Sequence, residues 1–263
     1  MNLRKNFIYL IIPLLFSGPL MLHAQEESSK KLFLRLGTLD LHLLDEQASP
    51  ILYQGNGIHA QVGFERQKGL NNWAYSLSIG QMTLLADDPE VRFGEEEAGT
   101  SAMAVQLSYL RKLPGSGNFI WSYGARLQNE LLLDFEAIGD FPWIFAQGGI
   151  FAQAQVEYML GERHQLSGGL AVPVFSWIID MPFSQVPRTE GKAPGVGSAI
   201  TEGFRIPSWA TYQRVDLSIG YQFDFAEKWS LEANYQWAWF HDKQPRNLWA
   251  YQGRLGLGIS HRW

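Results

Sequence analysis

Apolar and polar residues alternate one by one along most of this chain, and the stretch 248–263 shows the pattern at its clearest. Trp249, Tyr251, Gly253, Leu255, Leu257, Ile259, His261 and Trp263 fall on one side; Ala250, Gln252, Arg254, Gly256, Gly258, Ser260 and Arg262 fall on the other. Successive side chains of a strand point to opposite faces, so this is a ribbon with one greasy, aromatic face and one small or polar face. The same period marks nine further segments: 32–44, 58–65, 73–84, 102–111, 119–132, 143–158, 165–177, 212–223 and 231–240. An all-β chain of about ten strands is therefore expected. In the first of these segments Arg35 shares a side with Leu39, Leu41 and Leu43. In the seventh, Pro173 removes a ladder donor, so pairing must be interrupted there.

Alternation alone fits a barrel in lipid and a water-soluble sandwich or ligand-carrying barrel equally well, since each has two unlike sides. The connections and the aromatics separate them. Turns at 67–71, 114–118, 161–164 and 226–229 are short, whereas 45–56, 85–100, 133–142 and 178–209 are long and 241–247 is intermediate. Short turns at one rim and longer loops at the other are the habit of antiparallel up-and-down transmembrane barrels. Drawn on that path with the greasy sides outward, Trp73, Tyr75, Tyr109, Trp121, Tyr123, Tyr158, Tyr221, Phe223 and Trp263 gather near the short-turn rim. Trp177, Tyr212, Trp237, Trp239, Trp249 and Tyr251 gather near the other. Two such girdles are what a bilayer-spanning wall needs, because amphipathic rings settle at headgroup depth.

A segment of this kind that ends on an aromatic residue resembles the terminal strand of Gram-negative outer-membrane β-barrel proteins, the small porin-like class included. The resemblance implies residence in the outer membrane. It also implies that Tyr251, Leu255, Leu257, Ile259 and Trp263 form the signal read by the barrel-insertion machinery, with outer-membrane lipid and lipopolysaccharide as surroundings.

The first residues agree with export. Arg4 and Lys5 precede an apolar run over 7–22, followed by Leu22-His23-Ala24 and a polar stretch, which is the layout of a cleavable signal peptide at 1–24, leaving a single barrel domain at 25–263. The run is short for a spanning helix and is broken by Pro13, Gly18 and Pro19. A net charge of −5 with interspersed signs gives no basic surface for nucleic acid, and the absence of cysteine excludes disulfides and thiolate chemistry. No cofactor or metal is expected.

The side expected to face the lumen carries Asp40, His42, His59, Glu65, Arg126, Glu157, Arg214, Asp216, Glu232 and Arg254. Charges in a narrow bore have to be paired, so they are expected either to fill the lumen as ion pairs or to line a thin conduit. If 45–56 is a loop joining neighbours, His42, His59, Asp40 and Ser78 come within reach of one another and form a candidate nucleophile, base and orienting group. No Gly-x-Ser-x-Gly elbow or His-Glu-x-x-His sequence accompanies them. Gly256-Leu257-Gly258 sits inside a strand and opens no helix, so it reads as wall packing. The acidic segment with Asp87, Asp88, Glu90, Glu95, Glu96 and Glu97 lacks EF-hand spacing and reads as a solvated loop, and 178–209 is long enough for a lid or binding loop. The sequence thus points to a non-enzymatic outer-membrane barrel acting as a narrow pore, a surface-binding protein or a structural envelope subunit. Two alternatives stand beside it: an outer-membrane lipid hydrolase, and a soluble barrel with reversed faces that binds an apolar ligand.

Overall fold

The computed structural model describes residues 28–46, 49–86, 98–115, 117–134, 143–182, 203–244 and 247–263. The stretch expected to be a signal peptide, the acidic stretch at 87–97 and residues 183–202 of the expected lid or binding loop lie outside them. Ten long strands, β1 Ser28–Asp45, β2 Ser49–Lys68, β3 Asn71–Ala86, β4 Ala98–Lys112, β5 Phe119–Asp134, β6 Trp143–Met159, β7 His164–Pro182, β9 Tyr212–Asp224, β10 Trp229–Asp242 and β11 Leu248–Arg262, make the wall. A two-residue strand, β8 Phe204–Arg205, is added to it. Each long strand is antiparallel to its neighbours in chain order, and β1 pairs with β11, so the sheet closes into a barrel. Backbone bonds in both directions between Lys30 and Trp263 finish the seam at the short-turn rim. There the turns after β2 and β6 carry Gly69 (φ 58°) and Gly161 (φ 79°), a left-handed conformation that glycine adopts without a Cβ penalty.

The first hairpin departs from the sequence expectation. Residues 45–56 were expected as a long loop, but β2 begins at Ser49 and pairs with β1 almost throughout. Gln54-Gly55-Asn56-Gly57 reads as turn chemistry in isolation, yet Gly55 and Gly57 are extended, and a Cβ at either would meet Leu84, Met82 or the Gln81 backbone of β3. The close neighbours, not the local sequence, hold the strand straight there.

The seventh segment is interrupted as its proline requires. Ile150 faces Phe175 but Phe151 faces Pro173, which leaves Val174 as the extra residue of a β-bulge. Above it the β7–β9 ladder stops. His164 to Ala171 pair with β9, while Ile178 and Ile179 pair with β8 instead.

The outer face is apolar. Leu217, Ile219, Leu255 and Leu257 are 44%, 64%, 47% and 64% exposed, so the reversed-face, soluble alternative is excluded. A belt of contacting rings circles the short-turn rim, with Trp73 on Tyr109 at 4.7 Å, Phe119 on Tyr158 at 4.5 Å, Trp229 on His261 at 4.5 Å and Phe64 on Trp263 at 6.2 Å. Among the described residues the opposite girdle is one-sided, with Trp177, Trp237, Trp239, Trp249 and Tyr251 on β7, β10 and β11. Tyr212, expected in that girdle, instead points inward and is buried, because it shares the parity of Arg214 and Asp216.

The dry core of the barrel sits in its long-loop half. Leu39, Leu41, Leu43, Phe145, Ile178, Phe240 and Leu248 are each no more than 2% exposed and pack together across the bore, with Phe145 and Phe240 stacked at 5.6 Å. Removing such a side chain from water is worth roughly 1.5–3 kcal/mol. This plug reverses one expectation: Leu39, Leu41 and Leu43 point into the lumen, and Asp40 and His42 point out. The greasy side of β1 faces inward because the lumen itself is dry at that height.

Candidate functional site

Below the plug the lumen is polar, and its charges form three groups. Near the short-turn rim Lys31 lies 3.1 Å from both Glu65 and Glu232, and Arg35 holds Glu232 at 2.5 Å while donating to Gln61. On the other side Lys112 pairs with Glu157 at 3.5 Å. The third group lies against the plug. Arg214 donates to Glu130 at 2.6 Å and to Asp216 at 2.7 Å, Arg126 also binds Asp216, and Arg254 reaches Glu130 at 3.2 Å. Arg254 and Glu130 stand on opposite sides of the wall, since four strands lie between β5 and β11 in either direction around the barrel. The bond therefore crosses the whole bore.

Aromatic faces support these cations. The Arg126 and Arg214 guanidinium carbons lie 4.7 and 5.3 Å from the centre of the Phe151 ring, and Arg35 lies 4.0 Å from Phe33. Such contacts contribute roughly 0.5–2 kcal/mol each and leave the carboxylates free for the remaining donors. Tyr212 closes the upper edge by donating to Gln147 at 2.8 Å.

What remains open is a cup of about 560 Å³. Its mouth is at the short-turn rim, between Ser29, Gln67, Lys112, Gln165 and Arg262, and its closed end lies under the plug at Arg214, Arg254 and Glu130. Amide and hydroxyl side chains such as Gln106, Gln153, Gln155, Asn234 and Gln236 make the walls. Beyond the plug, Arg205 of β8 pairs with buried Asp242 at 2.5 Å and approaches Asp180 at 3.9 Å.

Of the residues singled out from sequence, Glu65, Arg126, Glu157, Arg214, Asp216, Glu232 and Arg254 point into the lumen and take part in these groups. The proposed hydrolytic set does not assemble. His59 and Ser78 face inward on adjacent strands, with His59 opposite Gly80 and Ser78 opposite Gln61. The Asp40 carboxylate lies on the outer surface over Gly253, and His42 stacks outside on Tyr251 at 4.1 Å. The wall stands between base and orienting group. Tyr251, Leu255, Leu257, Ile259 and Trp263 all lie on the outer face of the last strand.

Sequence reading missed Lys31, Arg35, Lys112 and Glu130. Glu130 shares the parity of Arg126 and Gln128 and was legible once β5 was carried past the point where its alternation frays. Lys31 and Lys112 fall outside the segments first marked; Lys112 continues the polar parity of Gln106 and Ser108, whereas Lys31, like Arg35, shares the parity of Leu39, Leu41 and Leu43.

No protein-family model matches the sequence, and no curated protein sequence does. Solved structures do match in shape. The outer-membrane protease OmpT of Escherichia coli is similar with a TM-score of 0.50 at 10% identity, over 92% of this chain and 99% of that one. The translocator domain of autotransporter NalP from Neisseria meningitidis gives 0.44 at 14% identity, over 91% and 90%. At such identities the likeness is one of fold. The likeness to OmpT, together with the apolar exterior, shows that the chain has the fold of an outer-membrane β-barrel.

Proposed function

We propose that this protein is a non-conducting barrel that anchors a polar, periplasm-facing chamber in the outer membrane. One observation carries the reading: the plug of Leu39, Leu41, Leu43, Phe145, Ile178, Phe240 and Leu248 spans the bore with no side chain more than 2% exposed. A conduit needs a continuous wet path, and an apolar constriction of this depth excludes water. The charged layer beneath it is tied across the bore, which adds a second barrier. The short-turn rim of transmembrane barrels is the periplasmic one, so the cup opens inward, toward the cell. Hydrolysis by the His/Ser/Asp set is disfavoured because Asp40 and His59 lie on opposite faces of the wall.

Planar-bilayer recording tests this. The wild-type barrel is expected to insert silently, and Leu41→Ser combined with Phe240→Ala to give discrete conductance steps. Steady unitary steps from the wild type would overturn the reading.

A further inference from the structure

The charge layer at the closed end of the cup does not balance. Among the described residues, Arg126, Arg214 and Arg254 share two carboxylates, Glu130 and Asp216. The pairs nearer the mouth do balance, Lys31 and Arg35 against Glu65 and Glu232, and Lys112 against Glu157. One guanidinium charge is therefore surplus, at membrane depth, beneath a dry plug. A ring face softens that excess without cancelling it, and a charge held away from bulk water calls for a counter-charge. Arg214 makes the most bonds and its side chain is 2% exposed, whereas those of Arg126 and Arg254 are each 13% exposed and line the cup. The Arg126 Nε is enclosed and makes no hydrogen bond. It is the partly exposed remainder of the Arg126 and Arg254 side chains, not that enclosed nitrogen, that faces the chamber.

The walls say what else the occupant carries. Gln106, Gln153, Gln155, Asn234 and Gln236 each offer both donors and acceptors and no charge, which suits hydroxyl or amide groups. A volume of about 560 Å³ falls within the roughly 300–1,000 Å³ range of small-molecule pockets.

We propose that the cup binds a small hydroxylated organic anion from the periplasmic side, its carboxylate or phosphate lodged between Arg126 and Arg254 and its polar body against the amide walls. This rests on the closed-barrel reading, which makes the chamber a dead end rather than a passage. The two guanidinium groups bind either oxyanion through paired N–H donors.

The test is calorimetric titration of the folded protein in lipid nanodiscs with glucuronate, glucose 6-phosphate and glucose. One or both anions are expected to bind, the stronger one identifying the acid, with glucose weaker by roughly ten- to a hundred-fold, the loss that follows removal of a charge-assisted bond. Arg126→Gln is expected to fold, since it removes surplus charge, and to weaken the anion by a similar factor; Arg66→Gln, exposed on the outer face of β2 and away from the cup, is expected to leave it nearly unchanged. Equal binding of glucose, wild-type affinity in Arg126→Gln, a failure of that variant to fold, or no heat with either anion would each overturn the proposal. A leaky barrel would reveal itself in bilayer recordings whatever these titrations gave, so the two readings fail separately.

Discussion

Arg254 on β11 reaches Glu130 on β5 at 3.2 Å, from one side of the barrel to the other. Glu130 also accepts from Arg214 at 2.6 Å, so one carboxylate holds two guanidinium groups from different strands. Removing it leaves buried cations without their partner, the costly way to break an ion pair. Glu130→Gln is expected to lower stability by roughly 3–5 kcal/mol in urea titrations of the lipid-embedded barrel. In a double-mutant cycle with Arg254→Gln, part of that loss should return as a coupling of roughly 0.5–3 kcal/mol. Strict additivity would mean that the bond across the bore contributes nothing.

The two apolar environments of this protein should answer differently to truncation. Phe240 packs inside on Phe145 and is 2% exposed, whereas Leu257 is 64% exposed on the outer face. Phe240→Ala leaves a cavity that the rigid wall cannot close and is expected to cost roughly 3–5 kcal/mol. At Leu257→Ala, acyl chains refill the space, and the same urea titration should show a much smaller loss. Leu257→Arg, by contrast, places a charge in lipid and should cost roughly 2–4 kcal/mol if that position lies near the midplane.

The exterior was legible in the sequence because it obeys one rule: Leu217, Ile219, Leu255 and Leu257 alternate with polar residues and face lipid. β1 breaks the rule. Leu39, Leu41 and Leu43 look equally ready for acyl chains, but the lumen at their height is as dry as the membrane, and alternation cannot say which dry side a leucine takes. Arg35 on their parity was the available clue, since an arginine facing lipid would be far costlier than one in a polar bore. The charge groups were legible as inward residues but not as partners. Glu130 and Arg254 come from opposite walls, and no local spacing encodes that distance. The first hairpin was misplaced for the converse reason, its glycines being read locally when β3 decides their conformation.

Dry plug and wet cup should be separable chemically on a single strand. Thr100 and Gln106 both point inward from β4, but Thr100 is 0% exposed and Gln106 lines the cup. The chain has no cysteine, so substitutions report without background. Gln106→Cys is expected to react readily with a water-soluble maleimide in the folded protein, and Thr100→Cys to react slower by orders of magnitude until denaturation. Equal rates would mean that water passes the plug.

The wall is weakest where β8 replaces β9 beside β7. The β7–β9 ladder ends at Ala171 opposite Asp216, below the bulge at Val174, and β8 covers only Ile178 and Ile179 above it. Arg205 fastens that short strand through buried Asp242, so it ties the seam to β10. Arg205→Ala is expected to strand the Asp242 carboxylate and to speed hydrogen exchange at the amides of 212–215 that face β7. Those of 217–223, held by a complete ladder, should stay protected, because exchange follows local opening and not global unfolding. Asp242→Asn in the same chain should restore part of the lost stability by removing the stranded charge. Uniform acceleration around the barrel would show instead that β8 is part of one cooperative wall and that the seam has no separate opening.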